Sequence, residues 1–274
     1  MAGNVTGEAE SAMDEFALSL KMQRLTRWLD QHCQPDHLAR MPFDAPPFGH
    51  CYLTIDTERQ GPLASFNLNR VYLCGREAGM EPGSVAQWIE LFAASGVKKF
   101  FVWLSPGPDM DAVRGWLVAS GCSRIRHLSY PTLVRTVAES VRFSTELDVR
   151  EVGVEDIEAA RDQLGETLWQ EYARSAGKEG FFHYMAFDGA RPVAIAALAV
   201  FEGLGYLFSA ATAEADRNRG AQQALIARRI EQAERGGCTM LVSETLSILE
   251  HSLHNLQRAG FRQIYEKELY AWSG

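Results

Sequence analysis

Residues 212–233 read TAEADRNRGAQQALIARRIEQA, and the rest of the chain is organised around this stretch. It leaves the end of an expected strand, crosses a short loop carrying Arg217 and Arg219, and enters a long helix through Gly220. Such a loop presents successive backbone N–H groups at a helix N-terminus, where about half a positive charge of macrodipole also sits. Gly220 can adopt positive φ and lets a ligand approach the backbone closely. The arginines flanking Asn218 have the fork geometry that pairs with phosphate oxygens. The same residues also fit a plain helix start whose arginines face water, and spacing alone does not separate the two readings.

The chain has 274 residues, 46% of them hydrophobic, enough for two ordinary domains with their own cores. Its net charge is −8, with a pI of about 5.4, and no dense basic run interrupts it. That argues against nucleic acid or an anionic membrane surface as partner and favours a neutral or cationic small molecule. The opening run MAGNVTGEAESAMDE lacks the basic start and apolar core of a signal peptide. No stretch approaches the roughly 18 apolar residues of a membrane span. The 5 cysteines (Cys33, Cys51, Cys74, Cys122, Cys238) are scattered and form no CxxC pair, as expected of reduced, buried thiols in a cytoplasmic protein. Cys33 and His37 have a loosely metal-like spacing but no second pair follows, so no metal is expected.

Taken in order, residues 15–31 predict an amphipathic helix, with Phe16, Leu20, Leu25 and Trp28 near helical spacing. The run MPFDAPPFGH (41–50) is broken by Pro42, Pro46 and Pro47 and predicts a loop or extended crossing. Strands are expected over 51–54 and 65–74, a helix over 84–94, a strand over 98–104 and a helix over 109–120. Residues 124–137 hold one further strand, or two divided near Pro131. The pattern then restarts. A strand over 147–152 precedes a helix over 154–171, and strands follow over 181–187 and 192–201, joined at the tight-turn pair Asp188-Gly189. The run VAIAALAVF (193–201) is continuously apolar, the mark of burial on both faces. A strand over 205–212, the opening loop and helix, a strand over 238–244, a short helix over 250–259 and a last strand over 261–270 complete the chain.

An internal repeat runs through this order. GWLVASGCSRIRHLSY (115–130) matches HNLQRAGFRQIYEKELY (254–270) with a shift of 139 positions, Gly121 falling on Gly260. SVAQWIELFAASGVKKFFVWLSP (84–106) likewise runs parallel to AQQALIARRIEQAERGGCTMLVSETL (221–246). The halves differ at one informative place. Where the second has its arginine-rich loop, the first has GREAGMEPGS (75–84), and Trp116 stands where Asn255 stands. The fold is kept in the first half and the phosphate loop is lost.

From about Leu147 to Trp272 the second half resembles the Gcn5-related N-acetyltransferases. Their phosphate-loop pattern, Q/R-x-x-G-x-G/A, falls on Arg217-Asn218-Arg219-Gly220-Ala221-Gln222, with Gln222 departing at the last position. Their second pattern, an Asn-containing helix ending in Gly-Phe, is matched by HNLQRAGF (254–261). The first half resembles a degenerate copy of the same fold. The resemblance thus implies a mixed α/β protein of α+β type, with two domains of this fold, each a mostly antiparallel mixed sheet flanked by helices. Their spans are 1–140, structural, and 141–274, binding acyl-coenzyme A.

The resemblance also implies an activity: transfer of an acetyl group from acetyl-CoA to the amine of a small molecule by direct attack in a ternary complex, with no metal. The pantetheine would meet Ala210, Ala211 and Thr212, the diphosphate would sit on Arg217, Asn218, Arg219, Gly220, Ala221, Gln222 and Gln223, and Asn255 would face them. Glu244, closing its strand, is the candidate base. The tyrosine these enzymes often use to protonate the leaving thiolate falls at Leu256, leaving His254, Ser252 and Tyr265 as nearby substitutes. Glu171 and Tyr172 are candidates for the acceptor cleft. Transfer to a protein lysine or N-terminus, and an acyl-CoA-binding regulatory module without turnover, are the alternatives. No nucleic-acid or membrane partner is expected, and a homo-oligomer stays open.

Overall fold

The computed structural model describes residues 14–45, 48–59, 66–76, 79–136, 141, 143–160 and 172–274. The first half runs α1 (Glu15–Cys33), β1 (Ala39–Ala45), β2 (Gly49–Ile55), β3 (Arg70–Cys74), α2 (Gly83–Ala94), β4 (Lys99–Ser105), α3 (Met110–Ala119) and β5 (Ser123–Thr136). The second runs β6 (Asp148–Glu151), α4 (Val154–Ala159), β7 (Phe181–Asp188), β8 (Arg191–Phe201), β9 (Leu204–Thr212), α5 (Ala221–Arg235), β10 (Met240–Glu244), α6 (Glu250–Arg258) and β11 (Arg262–Ser273). Among the described residues all the strands join one 11-stranded sheet, ordered β1-β2-β3-β4-β11-β5-β10-β9-β8-β7-β6. Its pairings are antiparallel except β3 with β4 and β9 with β10. This is the mixed, mostly antiparallel sheet flanked by helices that the resemblance implied, formed as one continuous sheet rather than one in each half.

The centre of the sheet holds an exchange. β5, the last strand of the first half, lies between β10 and β11 of the second. β11, the last strand of the chain, lies between β5 and β4 of the first half. Each half is therefore completed by a strand of the other.

Helix packing reinforces the exchange. α1 starts at Asp14, whose side chain accepts from the N–H groups of Phe16 and Ala17 at 3.0 and 3.2 Å, a standard N-cap. Its apolar stripe of Leu18, Met22 and Leu25 is buried not only on its own half but against Phe181, Tyr206, Val242 and Tyr265. Trp28 stacks on Phe181 with ring centroids 4.5 Å apart. In the first half, α2 and α3 bury Val85, Trp88, Phe92, Val113 and Leu117 over Val71, Phe100 and Val102. In the second, α5 and α6 bury Ile226, Ile230 and Leu256 over Leu198, Leu207 and Leu241. A fully buried side chain of this size contributes about 1.5–3 kcal/mol.

Several expectations meet the structure differently: residues 66–68, expected inside a strand over 65–74, are helical and β3 starts at Arg70. Pro42 sits within strand β1 rather than in a loop, which its position on the sheet edge permits because an edge residue can spare its N–H. Residues 123–136 form a single strand of 14 residues across Pro131, and the irregularity falls in its register with β11, at Gln263/Tyr265 and Glu268/Tyr270. The helix expected over 154–171 is described over Val154–Ala159; Trp169 and Glu171 lie outside the described residues. All five cysteines are buried and unbridged. Among the described residues no helix is long and apolar enough to cross a membrane.

The exchange predicts how the chain tolerates cutting. A fragment of residues 141–274 leaves β10 without its β5 neighbour and β11 without both neighbours, exposing unpaired edges. It is expected to aggregate or run oversized on gel filtration, and co-expression with residues 1–140 should return a soluble complex of the size of the intact chain. A monomeric, cooperatively folded fragment would contradict the dependence of each half on the other.

Candidate functional site

The two parallel pairs occupy equivalent places in the two halves and behave differently. β9 and β10 run together from Leu204/Met240 to Leu207/Ser243. There Ser243 Oγ donates to the Leu207 carbonyl at 3.0 Å, β10 ends at Glu244, and β9 continues to Thr212. The divergence coincides with an extra residue in β9. Its register with β8 shifts between Ile195/Ala211 and Ala197/Phe208, and Ser209 takes the left-handed conformation with φ 46°. A bulge of this kind bends the strand that carries it. The strands splay, and a cavity of about 1210 Å³ opens beside the splay.

In the first half the opening is shut. β3 and β4 pair along the whole of β3, from Arg70/Phe101 to Cys74/Ser105. Beyond the strands the Arg76 N–H donates to the Pro108 carbonyl at 2.6 Å. Gly75 and Gly107 pack backbone to backbone, so closely that a Cβ on Gly75 would lie 2.4 Å from the Gly107 carbonyl carbon. The Arg76 guanidinium, paired with Asp109 at 2.7 Å, covers the ring of Trp116 at 5.2 Å. Trp116 packs in turn against the first-half core.

The open cavity of the second half is lined by Ala210, Ala211, Thr212, Arg217, Asn218, Gly220, Ala221, Gln222, Gln223, His254 and Asn255 among others. The loop and the helix start thus gather around one cavity, with one exception. Arg219 does not line the cavity. Its guanidinium turns to Asp188 (2.8 Å) and Asp216 (2.9 Å), and Asp216 also takes a two-point contact from Arg191 at 2.7 and 2.9 Å. These arginines hold both carboxyls below the usual carboxylate range. Arg219 is a clasp tying the loop to the β7–β8 hairpin. Arg217, exposed on the same loop, has no ion-pair partner among the described residues.

Gly220 is the helix N-cap with φ 80°, and Asn218 is left-handed too at φ 66°. The loop is pinned from behind, where Thr145 Oγ1 donates to the Arg219 carbonyl at 2.8 Å. Gln222, the departure from the motif, does not obstruct the helix start. Its Oε1 accepts from Asn255 Nδ2 at 2.8 Å, while Gln223 Nε2 donates to Asn255 Oδ1 at 3.1 Å. The two glutamines thus bridge α5 to α6 through Asn255, and a ligand entering between the helices would exchange these bonds for its own.

A second cavity, about 370 Å³, adjoins the first and shares Ala210, Gln222, Leu249 and Ser252 with it. Its wall combines Tyr206, Phe208, Ser243, Glu244 and Leu256 of the second half with Asp30, Phe66, Arg70, Tyr72, Trp103 and Tyr130 of the first. Trp103 is central to the aromatic part, with Phe66, Tyr72 and Tyr130 ring centroids 5.0, 5.4 and 4.6 Å away. Glu244 is nearly fully buried. It accepts from Thr132 Oγ1 at 2.6 Å and pairs with Lys267 Nζ at 2.7 Å.

The remaining candidates separate. His254 is exposed on α6 and faces the larger cavity only. Tyr265 lines neither cavity: its ring is buried with Val134 and Val242, and burial drives its hydroxyl well above the ordinary range. Tyr172 is likewise buried away from both, donating to the Tyr184 carbonyl at 3.0 Å. His251 and His254 have no third metal-type ligand among the described residues. Sequence reasoning missed the first-half residues of the smaller cavity, because the strands that carry them meet the second half only through the exchange.

No family model matches the sequence, and no curated protein matches it. Solved structures do resemble the fold. A GCN5-related N-acetyltransferase from Kribbella flavida shares 16% identity with a TM-score of 0.63, covering 95% of this chain and 96% of that one. A GCN5-related N-acetyltransferase from Sphaerobacter thermophilus shares 14% at a TM-score of 0.59, covering 81% and 76%. A tandem protein of that fold from the clavulanic acid biosynthesis pathway shares 12% at 0.56, covering 93% and 96%. Identities this low speak to the fold alone.

The left-handed Gly220 gives a direct test of the loop geometry. A Cβ there would both strain the backbone and lie 3.1 Å from the Ser144 carbonyl oxygen. Gly220→Ala is therefore expected to destabilise the protein by about 1–2 kcal/mol in urea unfolding. An unchanged midpoint would mean the loop does not hold this conformation.

Proposed function

Because the chain has the fold of the Gcn5-related N-acetyltransferases in tandem, we propose that it is an acyl-CoA-dependent N-acetyltransferase acting on a small-molecule amine. The observation that carries the reading is the asymmetry between the halves: the second splays at its bulge beside a helix N-terminus and the first is zipped shut. Residues 141–274 then form the acyl-CoA domain. Residues 1–140 form a structural partner that contributes the acceptor wall.

The lining residues fit the group. Backbone at Ala210–Thr212 offers a strand edge for the pantetheine amides, as in strand addition. The amides of Gly220–Gln223, the α5 dipole and the free Arg217 offer positive potential to a diphosphate. Bound acetyl-CoA supplies an activated thioester. The protein's part is to hold an amine in the smaller cavity against that carbonyl and to manage two protons. Glu244 faces the amine side and takes a proton from the ammonium, freeing the nitrogen lone pair. That lone pair forms the C–N bond at the thioester carbonyl as the C–S bond breaks and its electron pair leaves on sulfur. On the leaving side Ser252, which borders both cavities, is the hydroxyl within the shared wall, and Leu256 contributes no proton. The small volume and its aromatic wall favour a small amine over an extended peptide.

Gln223 separates an anion site from a plain helix start. An acid in the first turn of a helix stabilises it, whereas the same acid beside a diphosphate repels it. Gln223→Glu should keep or slightly raise the melting temperature and weaken acetyl-CoA binding at least tenfold, about 1.4 kcal/mol. Calorimetry on the parent protein should show one site per chain. Two equivalent sites, or unaltered affinity in the folded variant, would overturn the assignment.

Glu244 is tested by turnover. Glu244→Gln should lower kcat at least a hundredfold, with the acetyl-CoA dissociation constant within about twofold of the parent. Because the change leaves Lys267 buried without its anion, the double variant with Lys267→Met serves if the single one is unstable. Unaltered kcat in either folded variant removes Glu244 from the proton path.

A further inference from the structure

The face of α5 that borders the smaller cavity presents Gln222, Ile226 and Arg229 at successive turns. Arg229 is 2% exposed. Its Nε donates to the Leu225 carbonyl at 3.1 Å, and its Nη1 reaches the Ala197 and Phe208 carbonyls at 3.3 and 3.4 Å. Those two carbonyls belong to the residue pair at which β8 and β9 resume register past the bulge, so the guanidinium caps the strands at the bulge, next in sequence to Ser209. Among the described residues no carboxylate pairs with it, and its Nη2 has no protein partner.

This is unusual company for a buried cation. Carbonyl oxygens offer partial charge only, and a buried guanidinium without an anion bears an uncompensated desolvation cost. Burial pulls its pKa down to about 9, so it still carries its charge near neutrality. The other buried arginine of the same cavity shows the contrast. Arg70 is held by both oxygens of Asp30 at 2.8 and 2.9 Å and is already neutralised. Capping two carbonyls at a bulge calls for hydrogen-bond donors, which a neutral amide supplies as well. The charge at Arg229 is what that structural role leaves unexplained.

We propose that Arg229 receives a carboxylate of the substrate in the smaller cavity, so that the enzyme takes an acidic acyl donor or an amino-acid-like acceptor. The inference rests on the acyl-transfer reading for the identity of these ligands, though not for the presence of the anion subsite. Both sources place the same group at the same spot. A dicarboxylic acyl chain would reach Arg229 from the thioester laid along Ala210, and an acceptor carboxylate would reach it from the aromatic side. In either case the two N–H groups on Nη2, the ones not already given to backbone carbonyls, are available to the carboxylate oxygens.

Calorimetry on the full-length protein distinguishes the sources. One arm compares malonyl-, succinyl- and glutaryl-CoA with propionyl-, butyryl- and pentanoyl-CoA. The other compares α-amino acids with their decarboxylated amines, with and without coenzyme. At least one arm should show a tenfold or greater preference for the carboxylate-bearing ligand, lost in Arg229→Met and at least partly kept in Arg229→Lys. No preference in either arm, or a preference that survives in folded Arg229→Met, overturns the inference. Should neither variant fold, a crystal structure of the parent protein with its preferred carboxylate decides: contact with Arg229 Nη2 supports the subsite, and a carboxylate seated elsewhere overturns it. Acetyl-CoA binding without any carboxylate preference would sink this inference and spare the acyl-transfer reading. Carboxylate-dependent amine binding without thioester binding would do the reverse.

Discussion

The pair formed by Glu244 and Lys267 spans the strand that the first half lends to the second. Glu244 ends β10, Lys267 lies on β11, and β5 runs between them, with Thr132 of β5 donating to the same carboxylate. Both charged side chains are at most 4% exposed, so each has given up its hydration, a cost of several kcal/mol per ion. A close contact and the Thr132 hydroxyl offset it, and so do the ring faces of Tyr72, Trp103 and Tyr130, 5.4 to 5.8 Å from the ammonium. Shifting β11 by one residue would turn Lys267 to the other face of the sheet and strand the carboxylate. Removing one member of a buried pair costs about 3–5 kcal/mol, which makes this contact a strong lock on the register of the exchanged strands. It also brings the first-half aromatics to the second-half cavity.

With the exchange fixed, the difference between the halves comes down to a few backbone residues. An extra residue at Ser209–Ala210 turns β9 away from β10 and opens a cavity. Gly75 and Gly107 let β3 and β4 stay flush past their ends, and any side chain at either position would force them apart. The first half therefore did not lose its opening merely by losing arginines. Its backbone closes the space that a ligand would occupy, and Arg76 over Trp116 covers what is left. Opening the cleft and supporting its wall are divided between two copies of one fold.

Much of this was legible in the sequence. Helix periodicity, the Asp188-Gly189 turn and the apolar run at 193–201 located the elements to within a few residues, because each rests on local spacing. The repeat located the place where the two halves differ, at 75–84. Residues flanking Gly220 were also readable, since a helix start is a local event. The ion pairs of Arg219 were not legible, because its partners, Asp188 and Asp216, come from a hairpin and a turn whose approach no spacing encodes. The burial of Tyr265 away from both cavities was hidden for a related reason: alternation along β11 does not say which face looks onto core and which onto cleft when the strand's neighbours belong to the other half. The exchange itself left no mark in composition, since a strand pairs by backbone and either half could have kept its own.

The net charge of −8 suggested a neutral or cationic ligand, and the site shows how far such an argument reaches. Beyond about 10 Å at ordinary salt, surface charges are screened, so the sum over the chain steers encounters weakly. Inside the cavities the relevant quantity is what remains after pairing. Asp30 cancels Arg70, Lys267 cancels Glu244, and Asp216 and Asp188 cancel Arg191 and Arg219. Among the described residues, what is left over on the two cavity walls is the α5 dipole, Arg217 and Arg258 on the larger cavity, and Arg229 on the smaller. An acidic protein thus presents a locally positive track, open to solvent at the loop and desolvated at its inner end. Low local dielectric makes the inner charge the more selective of the two, since an ion that cannot replace its lost hydration there gains nothing by entering.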